Sequence, residues 1–388
     1  MEEIFVSLPV KSLLRFKCVA KSWRALIADP SFIARHLERS RSTSKIPRLK
    51  LIFQLESFTR VPYISLISKD QPYCVPHHME PLPRKEYRGF HGHCDGIFCL
   101  YVISVTEEDE NENKLLNYLY PTKGGDNYLL DKSNLILWNP TTKEDKLIAA
   151  SQRLLPKGIA SVMFGLGFDP ITKDYKVVQL LLPLFENKRL VEVYNLSTNS
   201  WRVLDVVVPD FGLCYDNCTF YLNGAYHWLV FDDLHGIKRE FILSFDFSNE
   251  VFGMIQLPPA VDSLRGPGNI FVLDRSLAFV QHSFRTREFK IWVMNEYGVE
   301  SSWTDKFEIG RFHELRSVLG SWGDNEILIE NFDGEVISYN LQNQHMHAPK
   351  TNCGLGHDSV VPLMAEAYGF DYVDSLVPLA GRRIYNKI

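Results

Sequence analysis

No stretch of the 388 residues approaches the run of about 18 apolar positions that a membrane-crossing helix needs, so a helical membrane span is excluded. Nor does the N-terminus hold a basic segment followed by a long apolar run, and no signal peptide is read there. Cysteine is sparse. Seven are scattered as Cys18, Cys74, Cys94, Cys99, Cys214, Cys218 and Cys353, an odd number with no dense framework. That usage points to reduced thiols in a cytoplasmic or nuclear protein. On that reading the sequons at Asn195-Leu-Ser197 and Asn217-Cys-Thr219 are chance matches.

The signatures of chemistry are equally thin. There is no Gly-x-Ser-x-Gly elbow and no His-Glu-x-x-His pair. Gly165-x-Gly167 has Pro170 where a dinucleotide loop has its third glycine, and no helix follows to receive a phosphate. His77, His78, His91, His93, Cys94 and Cys99 fit no standard zinc spacing. Cys214 and Cys218 lack a second pair and read as buried strand thiols. The expectation is a chain with no catalytic residues, no cofactor and no metal.

What is present is apolar and aromatic. Hydrophobic residues make up 45% and aromatics 13%, with 25 Phe and 17 Tyr, a bias that favours strands. Charge is divided unevenly. Residues 1–50 hold eleven of the 42 basic residues and four of the 47 acidic ones, a surplus of seven; the rest of the chain stands at −12. The acidic body argues against nucleic acid, and the basic end reads as a helical face for an acidic protein partner.

Residues 1–40 read as three short helices. Pro9 suits a helix start, Ser12 a cap for Leu13 onward, and Trp23, Leu26 and Ile27 recur on one face. Asp29-Pro30 ends that helix and Ser31 is placed to cap the next, which carries Phe32, Ile33 and Leu37. So small a unit cannot bury this much apolar surface by itself and calls for a partner. The run from Ile4 through Leu8-Pro9, Leu13-Leu14, Phe16, Cys18-Val19, Trp23, Leu26-Ile27 and Asp29-Pro30 to Phe32 resembles the plant F-box. The family's opening Leu-Pro pair, upstream of Glu3-Ile4, has no counterpart in the sequence. The resemblance implies docking on the Skp-type adaptor of an SCF (Skp–cullin–F-box) ubiquitin ligase, and through it on cullin and RING subunits. Leu8, Pro9, Leu13, Leu14, Phe16, Cys18, Val19, Trp23, Leu26 and Ile27 would be its docking or packing residues.

From about residue 48 the pattern becomes short apolar runs punctuated by Gly, Asn, Asp and Pro, a strand signature. One unit recurs: a strand, then Asn or Asp, then a polar turn and a return strand. Its anchors are Asn139, Asn195, Asp246, Asn295 and Asn340, at steps of 56, 51, 49 and 45. The anchor side chain can fold back on the turn, and Trp201, Phe252 and Trp303 on the return strands are expected to pack on a neighbouring sheet. A period near 50 is the kelch-propeller scale. The expected fold is therefore α+β and multidomain: an F-box at 1–40, a linker at 41–50, and over 51–388 a kelch-like β-propeller of about six blades.

Gly92-His-Cys-Asp-Gly96, Leu137-Trp-Asn-Pro140, Gly165-Leu-Gly-Phe-Asp169, Asp174-Tyr-Lys-Val-Val178 and Asn223-Gly-Ala-Tyr-His-Trp228 resemble, in order, the plant F-box-associated domain. Lys290 to Trp303 and the tail Tyr372 to Leu379 are most similar to the S-locus F-box group, which implies a pollen determinant of self-incompatibility that recognises a basic ribonuclease (an S-RNase). The acidic run Glu107, Glu108, Asp109, Glu110 and Glu112 reads either as a solvated insertion or as a loop that steers such a basic partner. The function implied is a non-catalytic adaptor that selects a protein for ubiquitination. The alternatives are a propeller binding module whose degenerate F-box no longer engages a ligase, and a propeller enzyme.

Overall fold

Helix starts and stops in the N-terminal unit follow from a few residues. Glu2–Val6 forms α1, Val10–Phe16 forms α2, Lys21–Ala28 forms α3 and Pro30–Thr43 forms α4, four helices where three are expected. Pro9 holds the N-cap position of α2, so Ser12 lies inside that helix instead of capping it. Asp29 both ends α3 and caps α4. Its Oδ1 accepts from the Ser31 amide at 2.8 Å and from the Phe32 amide at 3.3 Å, with Pro30 at the first helical position, where a missing N–H costs nothing. The cap is therefore Asp29 rather than Ser31. Phe5, Phe16 and Trp23 interlock as an aromatic trio with centroids 5.1–5.6 Å apart. Arg35 on α4 ties down α1 through Glu2 and Glu3, both at 2.5 Å.

The computed structural model describes residues 2–43, 49–55, 62–68, 87–103, 133–148, 159–183, 189–211, 213–234, 237–258, 268–283, 288–310, 315–323, 325–331, 336–347, 367–379 and 382–383. After the helices come β1 (Leu49–Leu55) and β2 (Pro62–Ser68), then five sequential meanders. Blade 1 comprises β3 (Tyr87–Cys94), β4 (Ile97–Ile103), β5 (Ser133–Asn139) and β6 (Glu144–Ile148). Blade 2 comprises β7 (Ile159–Asp169), β8 (Asp174–Pro183), β9 (Leu190–Asn195) and β10 (Ser200–Leu204). Blade 3 comprises β11 (Leu213–Leu222), β12 (Ala225–Leu234), β13 (Ile237–Asp246) and β14 (Val251–Gln256). Blade 4 comprises β15 (Gly268–Leu273), β16 (Ser276–Ser283), β17 (Glu288–Met294) and β18 (Trp303–Ile309). Blade 5 comprises β19 (Leu315–Gly323), β20 (Glu326–Asn331), β21 (Val336–Asn340) and β22 (Met346–His347). The chain returns as β23 (Ala367–Asp371) and β24 (Arg382–Arg383).

The first strands of successive blades, β3, β7, β11, β15 and β19, neighbour one another, and β23 follows β19. This is a propeller. It has five full blades, a correction to the expected six or so. The remaining place in the ring holds a smaller three-stranded sheet, β2–β1–β23, built from both ends of the domain. Dividing chain length by the period overcounts, because β1, β2 and β23 form the smaller sheet and not a full blade. The five anchors are the better count, since each ends or directly follows the third strand of one blade.

The turn chemistry at these anchors takes two forms. Asn139 Oδ1 accepts from the amides of Thr141 and Thr142, Asp246 Oδ1 from Ser248 and Asn249, and Asn340 Oδ1 from Gln342 and Asn343, all at 2.8–3.2 Å. Asn195 instead donates to Asp174, which itself accepts the Ser197 amide, and Asn295 donates to Ser302 O across a longer loop. The return-strand aromatics also divide. Trp303 reaches blade 3, donating to Gln256 O at 3.0 Å, whereas Trp201 and Phe252 pack at a tilt against Tyr194 and Phe245 of their own blades.

Blades are joined by close packing and by buried charge. A Cβ on Gly167 would lie 2.1 Å from the Phe247 ring and one on Gly165 would lie 2.7 Å from Tyr226, so these glycines admit aromatic rings of blade 3. Lys176 Nζ, buried in blade 2, donates to Asp169 at 2.7 Å and, across to blade 3, to Glu250 at 2.7 Å and Phe247 O at 3.1 Å. Burial by itself would raise the Asp169 pKa. The hydrogen bonds from Lys176, Thr172 and the Ile171 amide outweigh it and hold the carboxylate well below its usual range.

The ring is fastened at Asn139, which is fully buried. Its Nδ2 donates to Ser375 O at 3.1 Å and to Val377 O at 3.0 Å. Those carbonyls belong to the segment that follows β23, which blade 1 also holds through Thr141–Asp374 at 2.9 Å and the Leu379 amide on Glu144 at 3.0 Å. Replacing Asn139→Leu keeps the volume and strands two buried carbonyls and two turn amides. We expect a loss of about 2–4 kcal/mol, since each buried group left unpaired costs roughly 1–3, read as a lower urea midpoint.

Two histidines give the acid limb of stability a defined window. Burial pushes His91 and His227 down to about 4, and His227 Nε2 is paired with Tyr297 Oη at 2.7 Å. In the unfolded chain a histidine takes up its proton near pH 6.5. The unfolded state therefore binds more protons between those values, and stability falls as pH drops from about 6.5 towards 4. The denaturation midpoint of His227→Gln is expected to decline less steeply over that window than the wild type's.

Candidate functional site

The described surface offers two faces. Every described non-glycine residue with a left-handed φ, from Asp95 and Lys143 through Asn223 and Glu250 to Asn325 and Gln344, lies in a turn joining the first and second or the third and fourth strand of a blade. In an antiparallel meander all those turns emerge at one end, which forms the turn face. The links from second to third strand and from blade to blade emerge at the other, the loop face. Links from second to third strand on the loop face range from two residues between β12 and β13 to the segment 104–132 between β4 and β5.

The helical unit stands on the turn face. One continuous buried cluster runs from Phe5, Val10, Leu13, Ile27 and Phe32 into Ile97, Leu137 and Leu166 of blades 1 and 2, and on to Leu376 and Leu379 of the returning tail. Within this arrangement the ten expected docking residues separate into three groups. Leu13 and Ile27 are completely buried and present no surface to a partner. Leu8, Leu14, Phe16, Trp23 and Leu26 are half-buried and pack against the cluster from its rim. Pro9, Cys18 and Val19 are exposed, Val19 at 64%. Ile4, not among the ten, is equally exposed at 63%. Lys11, Arg15, Lys21 and Arg24, all exposed, stand between these residues in the sequence. The i, i+3, i+4 spacing of Trp23, Leu26 and Ile27 marks an apolar helix face, but only the packing of four helices decides which apolar residues turn inward.

The metal and thiol candidates are absorbed into packing. His91 lies against Phe164 at 5.1 Å, and His93 against Phe98 at 4.7 Å while its Nε2 accepts the Gly96 amide. Burial lifts the Cys99 thiol to about 12, and burial together with the charge of Asp95 holds the Cys94 thiol well above its ordinary value. Among the described residues no group of three His, Cys, Asp or Glu is placed to hold a metal. His77, His78, Cys74, Cys353 and the acidic run Glu107 to Glu112 lie outside the described residues, as do the side chains of Cys214 and Cys218.

On the loop face one described segment is held firmly. Arg189 lies over the Phe211 ring at 4.1 Å and donates to the carboxylate of Asp210 at 2.7 Å and to the carbonyls of Pro209 and Phe211. This fixes residues 205–211, the link from β10 to β11, with Val207 exposed at 88%. Nothing in the strand pattern marked it.

A small helical unit thus stands on the turn face of a propeller, and the opposite face is free of it. Comparison with known proteins agrees. Residues 1–35 match the F-box domain and residues 127–379 the F-box associated beta propeller domain. The chain thus belongs to the F-box-associated β-propeller family, in the form that carries an N-terminal F-box. Its relatives include an F-box/kelch-repeat protein of Arabidopsis thaliana, 29% identical over 364 residues, covering 91% of this chain and 89% of that one. The F-box protein CPR1 of the same plant is 25% identical over 381 residues, covering 89% and 82%. F-box proteins are generally non-catalytic subunits that bring substrates to SCF ligases.

The division of the docking residues carries a test of its own. Leu13→Ala and Ile27→Ala are each expected to cost about 2–5 kcal/mol, as buried aliphatics truncated to alanine do. Val19→Ala should stay within about 0.5 kcal/mol, as surface changes do. Helix-specific hydrogen exchange would read both.

Proposed function

We propose that this chain is the substrate-recognition subunit of an SCF-type ubiquitin ligase. Its helical unit docks on a Skp-type adaptor, and its propeller holds a protein target for ubiquitination. The observation that carries the reading is the apolar surface of a unit that already has a complete core. With Leu13 and Ile27 sealed inside, Ile4, Pro9, Val19 and the rims of Leu8, Phe16, Trp23 and Leu26 still face outward. An apolar surface interspersed with Lys11, Arg15, Lys21 and Arg24 suits an acidic partner with an apolar groove. Target binding is assigned to the loop face, because the helical unit occupies the turn face and binding residues gather on connecting loops. The ridge at 205–211, with Val207 at its crest, is the described part of that face best prepared for contact.

A narrower reading takes the target to be a basic ribonuclease met in pollen. It draws on the net charge of −12 outside residues 1–50 and on the resemblance of residues 290–303 and 372–379 to the S-locus group. Transcript confined to pollen would support it; strong expression in leaf would remove it.

Co-purification with a plant Skp-type adaptor tests the main reading. The wild-type chain is expected to bind, and Val19→Asp with Ile4→Asp to weaken binding at least tenfold with an unchanged denaturation midpoint, roughly the cost of a lost hot-spot residue. A folded wild-type chain that does not bind would favour a propeller module without ligase engagement.

A further inference from the structure

Arg41, in the last turn of α4, touches the propeller in two places. Its guanidinium pairs with Asp95 in the turn between β3 and β4, the Nε donating to Oδ1 at 3.1 Å and the Nη2 to the same oxygen. The Asp95 side chain is nearly buried, and its Oδ2 accepts from Tyr175 Oη of blade 2 at 3.0 Å. The carbonyl oxygen of Arg41 accepts from Arg275 Nη2 at 3.3 Å, and Arg275 stands in the turn between β15 and β16 of blade 4. That carbonyl is one of those a helix end leaves without an internal partner.

Six sheets complete the ring, and blades 1 and 4 are three places apart in it. A single residue bridging both must therefore lie across the ring axis. The end of α4 crosses the turn-side mouth of the propeller, and its contacts come from turns of the innermost strands. We infer that Arg41, with Asp95 and Arg275, is a latch that fixes the orientation of the helical unit on the propeller. This goes beyond adaptor binding and holds whether or not the chain engages a ligase. Joints between units move by default unless the interface is large and hydrophobic; here the shared buried cluster takes in α4 only as far as Ile33, and the latch ties down the end of that helix beyond it. Here the pairing is with a carboxylate removed from water, where loss of the partner leaves an uncompensated charge. In a ligase subunit the consequence is positional. The latch sets the direction in which the loop face, and any target on it, points from the adaptor. Arg41 and Asp95 are positioning residues in that sense.

The test uses the full chain with spin labels introduced as unnatural amino acids at two exposed positions, Glu38 on α4 and Val207 on the loop face. Electron–electron double resonance should give one narrow distance distribution for the wild type. Arg41→Ala should broaden it about twofold, as a released end of α4 would, while hydrogen exchange in the blade strands stays unchanged. Arg41→Lys, which keeps the charge, should recover most of the narrow distribution. Arg275→Ala, which removes the second contact only, should broaden it less. Wild-type width in both alanine variants would overturn the inference. So would broadening accompanied by equal loss of protection throughout the blades, because that would mark a general loss of stability rather than a released joint.

Discussion

The arrangement depends on one buried amide. Asn139 lies at the end of the third strand of blade 1, and both ends of its side chain are used. The oxygen shapes the turn that begins at its own position, and the nitrogen holds two carbonyls of the chain's returning tail. A propeller must close, because an open ring exposes strand edges and the flank of a blade. This chain closes by pairing β23 with β1, which leaves the segment after β23 to cross the turn face. Asn139 stops that segment over blade 1, where Leu376, Val377 and Leu379 become part of the core. Gly96 admits it: a Cβ there would lie 2.3 Å from Val373 O.

The same strap forms part of the floor on which the helical unit rests. Phe5, Leu13, Ile27 and Phe32 share one buried cluster with the tail and with blades 1 and 2, so closure of the ring and attachment of the helices are one act of packing. Four short helices bury too little surface to stand alone. Here they complete their core on the propeller and keep a second apolar surface unspent. The separation of a structural interior from an outward rim is what allows the unit to be folded and still receptive to a partner.

Much of this was legible in residues. The five Asn and Asp anchors count the full blades correctly, because a turn with an inward-folding side chain is a local device that leaves a local mark. The blade number inferred from length was too high, because length does not separate strand from connection. Trp201 and Phe252 show the same limit: an aromatic at the end of a return strand must be covered, but whether its own blade or the next covers it depends on the blade twist. Gly165-x-Gly167 owes its glycines to Tyr226 and Phe247, more than fifty residues away. Nothing local could announce that.

The ten residues expected to dock or pack were legible as an apolar helical set, and the burial of each was not. Their spacing identifies an apolar helical surface, but two of the ten face wholly inward and Ile4 faces out. The joint between the two units left no pattern at all. Arg41 sits at the end of a helix, Asp95 in a tight Asp-Gly turn and Arg275 in another, each an ordinary residue in its own segment. They converge because every turn from first to second strand of a blade emerges at one end, and because the helical unit is drawn to that end by the apolar floor the strap completes. Topology thus assigns the faces before any partner is considered: the end that carries the first-to-second and third-to-fourth turns receives the helices, and the links from second to third strand emerge at the other.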